Sequence, residues 1–229
     1  MSTIIVMKQN YYFQDDQSIG EEIANSALHG IGGFLGIFGM VLLINHAKSS
    51  LPALIIFASA MILMFFISTV YHVLPVQKIK KLFQIFDHQA IYIFIAGTYT
   101  PFCLLALKGP LGIILLCFEW MLALTGVILS ALSFNKIKKI EMIIYILMGW
   151  AIIVGFIPLA SALPVQSYLL LFAGGLAYTA GTFWYRAGKD KPSKMRKRLF
   201  CGHVIWHVFV LVGAVCHWFS IWFLCLSAG

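Results

Sequence analysis

Histidines at the edges of apolar segments are the residues of this chain best suited to chemistry. His203 and His207 lie four residues apart, so a helix presents both on one face, the geometry by which HExxH helices hold zinc. A third histidine, His72, closes another apolar segment four residues after Ser68, and Asp87 opens the next one. Imidazoles beside a carboxylate predict a metal site.

A second polar set opens the first apolar segment. Glu22, Asn25 and His29 are spaced by three and four residues, which places them on a single helix face. Ionisable groups inside a membrane helix are costly and indicate function by default. We therefore expect this set to mark a functional position at the start of the first helix.

The elements that must position these residues are transmembrane helices. The chain has 229 residues, of which 61% are hydrophobic and only 10% charged, and this excludes an ordinary soluble globule. Each apolar run is continuous rather than alternating, which predicts helices instead of barrel strands. We predict an all-α membrane protein, a seven-transmembrane helix bundle. The runs cover residues 25–45, 51–74, 85–107, 110–132, 140–159, 165–185 and 203–226.

The domain organisation follows from this count, because seven spans of about 20 residues use nearly the whole chain. We expect residues 1–20 to form a short cytosolic N-terminal segment and residues 21–229 to form a single transmembrane domain. Pro101 should kink the third helix, since proline removes a backbone donor. The five cysteines lack metal-binding or disulfide spacing and are expected to pack among apolar side chains.

The distribution of positive charge predicts the orientation. All of the 16 lysines and arginines except Lys48 and Lys108 fall on one side of the seven predicted spans. By the positive-inside rule, the N-terminus faces the cytosol and the C-terminus faces outside. The net charge of +8 then marks topology and gives no reason to expect nucleic acid as a partner.

The same topology places the polar residues at one depth. His72, Asp87 and His203 each lie five or six residues from a basic cytosolic boundary, which is roughly 7–10 Å along a helix. Separate packing roles would require a separate buried partner for each group. One ion shared by His72, His203 and His207 satisfies them together.

Zinc is the metal that three imidazoles suit best, although iron, nickel and copper also accept them. Three protein nitrogens leave a fourth position for water, the usual catalytic arrangement, whereas a structural zinc site is normally closed by four ligands. We therefore predict a Zn2+ site with an open position.

These motifs resemble a known family. E22-x2-N25-x3-H29, S68-x3-H72 followed by D87, and H203-x3-H207 are similar to the motifs of the progestin and adipoQ receptor family, in particular its bacterial hemolysin III branch. The segments DHQAIYIFIAGTYTPF at 87–102 and GGLAYTAGTFWY at 174–185 resemble that branch as well.

The resemblance implies particular roles for these residues. It implies zinc bound by His72, His203 and His207, with Asp87 holding the metal water and Ser68 beside it. It also implies a supporting role for Glu22, Asn25 and His29, and a multi-pass location in the bacterial plasma membrane.

Two functions remain open from the sequence. The first is an intramembrane hydrolase in which zinc activates water and Asp87 positions or deprotonates it, acting on a lipid amide or ester. Related receptors resemble ceramidases in this respect, so a membrane lipid is the expected substrate or ligand. The alternative is a non-catalytic sensor of membrane state in which Asp87 closes a structural zinc site. Protein partners are not indicated.

Four other polar residues are not assigned to this chemistry. Glu119 is buried inside the fourth run, which favours a structural role. His88 follows Asp87 by about 100° of helix turn, so it could approach the metal, but a packing role is favoured. His46 and His217 lie in the outer half, so we expect no connection with the metal site.

Overall fold

The computed structural model of the protein describes residues 17–46, 51–189 and 202–227, and every regular element in these ranges is helical. The all-α prediction is confirmed. In chain order the α-helices are α1 Ile19–His46, α2 Leu51–Val73, α3 Gln77–Pro101, α4 Pro110–Ile137, α5 Glu141–Trp150, α6 Phe156–Ala162, α7 Val165–Lys189 and α8 Gly202–Ser227. A π-helical turn, Phe102–Ala106, follows α3, and a 3₁₀ turn, Ala151–Gly155, joins α5 to α6.

Six helical spans of the described chain are long and apolar enough to cross a membrane: α1, α2, α3 with its π turn, α4, α5 through α6, and α8. The protein is therefore a multi-pass membrane protein. The long helix α7 falls outside this set because glycine, threonine and tyrosine replace aliphatic residues along it. The N-terminal Lys8, the outer Lys48 and the basic residues at 191–198 lie outside the described residues.

Helices α1 and α3 begin before their apolar runs. At the start of α1, the Ser18 backbone N–H donates to Glu21 Oε2 at 2.7 Å, and the Glu21 N–H donates to Ser18 Oγ at 3.3 Å. This reciprocal pair is a capping box. The helix thus starts at Ile19, two residues inside the segment predicted to precede the transmembrane domain, because capping rather than hydropathy determines where it begins.

The helices form a bundle in which neighbours in sequence are mostly neighbours in space. Extensive contacts join α1 to α2, α2 to α3 and α3 to α4, while α8 packs against α1 and, most extensively, against α7. The span formed by α5 and α6 makes few contacts with α3 and α7. A cavity remains between them.

Backbone irregularities in two spans have identifiable causes. The winding changes from α to π directly after Pro101, the residue predicted to kink the third helix. In the fifth span, the Tyr99 hydroxyl donates to the Met148 carbonyl at 2.6 Å and accepts from the Ile152 N–H at 2.8 Å. These bonds satisfy backbone groups that the break between α5 and α6 leaves unpaired.

Glycines allow α7 and α8 to approach closely. A Cβ at Gly174 would lie 2.3 Å from Cδ2 of the His217 ring and 3.1 Å from the Gly213 carbonyl oxygen. On the opposite helix, a Cβ at Gly213 would lie 2.6 Å from the Tyr178 ring. Contact between small residues and large rings therefore holds these two helices together, as is usual where lipid gives no hydrophobic drive for association.

We predict that Gly174→Ala destabilises the protein by about 1–3 kcal/mol, the usual cost of overpacking, because the new methyl group overlaps the His217 ring. The matched control is Gly175→Ala, whose Cβ would have its nearest neighbour at 4.0 Å on Trp150. It should be neutral or slightly stabilising, since alanine has the higher helix propensity. Thermal melting of both variants in one detergent tests this, and equal melting temperatures would contradict the packing described.

Candidate metal centre

Three histidines from two helices meet near one end of the bundle. The ring nitrogens of His72, at the end of α2, and of His203 and His207, at the start of α8, all lie within 4.8 Å of one another. His72 and His207 are buried. Nε2 of His72 and Nδ1 of His207 have no hydrogen-bond partner among the described residues. Buried imidazole nitrogens without a hydrogen-bond partner are suited to binding a metal ion, which would accept their lone pairs.

Glu22 fixes the orientation of His72. Its Oε2 lies 2.7 Å from Nδ1 of His72, so the proton on Nδ1 points to the carboxylate and Nε2 presents its lone pair to the cluster. The other carboxylate oxygen accepts a hydrogen bond from Lys80 Nζ at 2.9 Å. A carboxylate behind a histidine is the arrangement that orients metal-binding imidazoles in many proteins.

The other two residues of the α1 set lie differently. His29 is buried, and its ring centroid is 3.7 Å from that of His207, so it packs directly on the cluster. Asn25 is fully buried, and its Nδ2 donates to Gln17 Oε1 at 2.9 Å. The described contacts of Asn25 therefore lead to the chain that precedes α1.

Asp87 and Ser68 line the same cavity as His203 and His207. The Ser68 side chain hydrogen-bonds the Asp87 carboxylate, and electrostatic interactions join Asp87 to His72 and His88. Ser68 is almost completely buried, and Asp87 is partly buried. A carboxylate held by a hydroxyl beside three imidazoles can accept a proton from a group bound near them.

One cavity connects these residues to the middle of the bundle. Its volume is about 170 Å³, far above the roughly 10–15 Å³ needed for one water. The polar residues of the site line one part of it: His29, Ser68, Asp87, His203 and His207. Its other walls are largely apolar and include Phe94, Phe102, Phe172 and Val210. A polar centre thus opens into an apolar chamber inside the membrane span.

Two residues beyond the predicted set also belong to this cavity. Glu141, buried at the start of α5, has Oε1 at 2.5 Å from Nδ1 of His88. His88 therefore pairs with a carboxylate rather than packing alone. The sequence signal for Glu141 was its acidic side chain at the start of the apolar run at 140–159. Spacing within one helix could not connect it to His88, because the two residues lie on different helices.

His46 and His217, which the sequence assigns to the outer half, differ in their relation to the cavity. His46 Nδ1 lies 3.0 Å from the Leu42 carbonyl oxygen, one helical turn back, and His46 does not line the cavity. His217 does line it, so the prediction that this residue has no connection with the site is wrong. Glu119 is fully buried outside the cavity wall.

Comparisons with known proteins show the family of this chain. A family model described as Haemolysin-III related matches residues 17–218.

The chain belongs to this family. It is 40% identical over 212 residues to Hemolysin-3 of Bacillus cereus, covering 90% of this chain and 93% of that protein. It is 38% identical over 215 residues to the Hemolysin-3 homolog of Bacillus subtilis (strain 168), covering 92% and 97%.

A more distant likeness extends to animals. The human monocyte to macrophage differentiation factor is 29% identical over 172 residues, which covers 73% of this chain and 68% of that protein. Together these relatives confirm the resemblance to the progestin and adipoQ receptor family and its hemolysin III branch, and they agree with a multi-pass location in the cell membrane.

We predict that the alanine variants of His72, His203 and His207 each lose most of the metal that copurifies with the wild type, because each removes one of three clustered ligands. Elemental analysis of the purified variants measures this. His46→Ala is the matched control, since it removes a histidine that lies outside the cavity, and it should keep its metal.

Glu22→Gln is expected to weaken metal binding less than the removal of a ligand. The amide keeps the shape of the carboxylate but not its charge, and loss of such an orienting partner typically weakens metal affinity by about 10–100-fold. Competition with a chelator should therefore strip this variant before the wild type. Full metal retention by all three alanine variants would show that the cluster does not hold the ion.

Proposed function

We propose that the protein is an intramembrane zinc hydrolase that cleaves a lipid amide or ester. The observation that carries the proposal is the cluster of three imidazoles beside a hydroxyl-bound carboxylate, in the wall of an apolar cavity. A closed structural site would not need an apolar chamber of this size beside it.

Zinc is proposed because, among the described residues, the donor set is three imidazoles without thiolate or additional clustered carboxylate, and because this set with one open position matches catalytic zinc sites. A zinc ion held there supplies a Lewis acid for a carbonyl oxygen and lowers the pKa of bound water. The ligands are His72, His203 and His207.

The remaining polar residues prepare these ligands and the proton transfer. Glu22 holds the Nδ1 proton of His72, so Nε2 stays available without a change of tautomer. Asp87 accepts the proton of the attacking water, and the Ser68 hydroxyl keeps its carboxylate in place. His29 packs on the His207 ring and restricts its rotation.

The cavity argues for a lipid substrate. Its walls are mainly aromatic and aliphatic away from the cluster, and they lie within helices that pass through the bilayer. An acyl chain in this chamber would place its polar linkage beside the imidazoles and Asp87. A water-soluble substrate would find few polar groups along these walls.

The proposed topology has seven spans with the N-terminus in the cytosol. Helix α7 contains 25 residues, which is roughly 37 Å and longer than the roughly 30 Å hydrocarbon core. It packs along α8, which supports its crossing with that helix. The bases Lys80 and Lys138 lie at the end of the bundle that holds the metal cluster, which supports a cytosolic position for the cluster under the positive-inside rule.

We predict that Asp87→Asn keeps most of its zinc and loses hydrolysis by roughly 10²–10⁴-fold, the contribution of a positioned base, since the three imidazoles remain. Zinc content and turnover of ceramide-like amides and lipid esters are measured together in bilayers. Glu119→Gln is the matched control, a neutralised buried carboxylate outside the cavity, and it should keep both zinc and turnover.

The same experiment distinguishes the non-catalytic alternative. In a structural site closed by Asp87, the Asp87→Asn change would remove zinc and lower the melting temperature together. That result, with no wild-type turnover of any amide or ester, would reject the hydrolase and leave a sensor of membrane state.

For the topology, we predict that a reporter fused after Ser227 is exposed outside the cytosol and that one inserted at Lys138 is cytosolic, because basic loops stay on the cytosolic side. Accessibility labelling in intact cells checks both positions. Two reporters found on the same side would contradict the seven-span arrangement.

A further inference from the structure

Helices α7 and α8 each turn a continuous face toward the cavity. On α8 this face contains His203, His207, Val210 and His217. His217 lies ten residues beyond His207, which is roughly 15 Å along the helix axis. The cavity wall thus carries a second polar position far from the metal cluster, and the proposed hydrolysis gives this position no role.

His217 is held in one orientation. Its ring occupies the space above Gly174, where a side chain would overlap it. Its Nε2 lies 3.0 Å from the Leu171 carbonyl oxygen. A carbonyl can only accept, so Nε2 carries the proton and Nδ1 presents a lone pair. Nδ1 is buried and has no partner among the described residues.

Tyr178 lies beside this imidazole. The two rings meet edge to face with centroids 5.4 Å apart, and Gly213 provides the space for the tyrosine ring. The Tyr178 hydroxyl is also buried without a partner in the described part of the chain, and both residues line the cavity. Two neighbouring polar groups are therefore desolvated together, which is unfavourable unless something in the cavity bonds them.

We propose that His217 and Tyr178 recognise a hydroxyl group carried on the distal half of the ligand's hydrocarbon chain. A ligand hydroxyl donates to Nδ1 of His217 and accepts from the Tyr178 hydroxyl, so it satisfies both groups at once. A ketone or ether oxygen could accept from Tyr178 but would leave Nδ1 without a donor. The site therefore selects hydroxylated acyl chains over plain ones.

This inference deepens the proposed function, because it rests on an acyl chain lying in the cavity with its polar end at the histidine cluster. It does not depend on turnover. The roughly 15 Å between His207 and His217 predicts that only hydroxyls within a narrow range of positions in the distal half of the chain reach the pair, whereas a hydroxyl near the polar end does not.

The test is equilibrium binding of palmitate and a series of monohydroxypalmitates, in which the hydroxyl moves along the chain, to the full-length purified protein in bilayer nanodiscs. We expect one or two adjacent positions about twelve carbons from the carboxyl group, the length of extended chain that covers roughly 15 Å, to bind about tenfold more tightly than palmitate, the effect of about one additional net hydrogen bond. Tyr178→Phe should reduce this preference severalfold.

The matched control is Tyr168→Phe. Tyr168 lies on the same helix and its hydroxyl also lacks a partner among the described residues, but it does not line the cavity. This variant should keep the preference in full. Equal affinity of the wild type for every chain would overturn the inference and would indicate that water satisfies both groups, and a preference unchanged in Tyr178→Phe would overturn it too.

The outcome is separable from that of the hydrolase proposal. A positional preference in a protein that hydrolyses no amide or ester would support the hydroxyl site and reject the enzyme. Hydrolysis without any positional preference would support the enzyme and overturn the hydroxyl site.

Discussion

The hydrogen bond between Glu22 and His72, 2.7 Å long, is the interaction on which the rest of the site depends. It joins α1 to α2, and through Lys80 the same carboxylate reaches α3. A charge buried among membrane helices persists only when it is paired. By meeting this requirement, Glu22 determines the register of three helices and leaves the second nitrogen of His72 pointing to the two histidines of α8.

The cavity beside this site exists because one span packs loosely. The helices α5 and α6 are separated by a 3₁₀ turn, and Gly149, Trp150 and Ile152 near this break line the chamber. Irregular backbone is tolerated at membrane depth where protein groups satisfy it or where it borders a cavity. The Tyr99 hydroxyl supplies the bonds here, so the break leaves the cavity open while the Met148 carbonyl and the Ile152 N–H remain hydrogen-bonded.

The polar groups of this cavity lie at different depths. The imidazole cluster and Asp87 are near one end, and His217 with Tyr178 faces the same space from farther along α8. Apolar side chains separate them. A ligand that bonds both polar positions must carry two polar groups joined by a hydrocarbon segment. The length of that segment is set by the rise of α8 between the two positions. Together the two positions therefore restrict the chemistry of the ligand more than either does alone.

The sequence by itself determined the helical class, six of the predicted spans and the position of His72 and His203 near helix ends, because the length of each apolar run shows where a membrane helix begins and ends. It also paired His203 with His207, since helical spacing fixes which side chains share a face. Rotation of each helix and the choice of neighbours were decided only by tertiary packing. Almost every face of these helices is apolar, so hydropathy carries little information about which one turns inward. For this reason the sequence could not show that His88 pairs with Glu141 or that His217 lines the cavity: both depend on contacts between helices that small residues and buried polar groups select after the spans are in place.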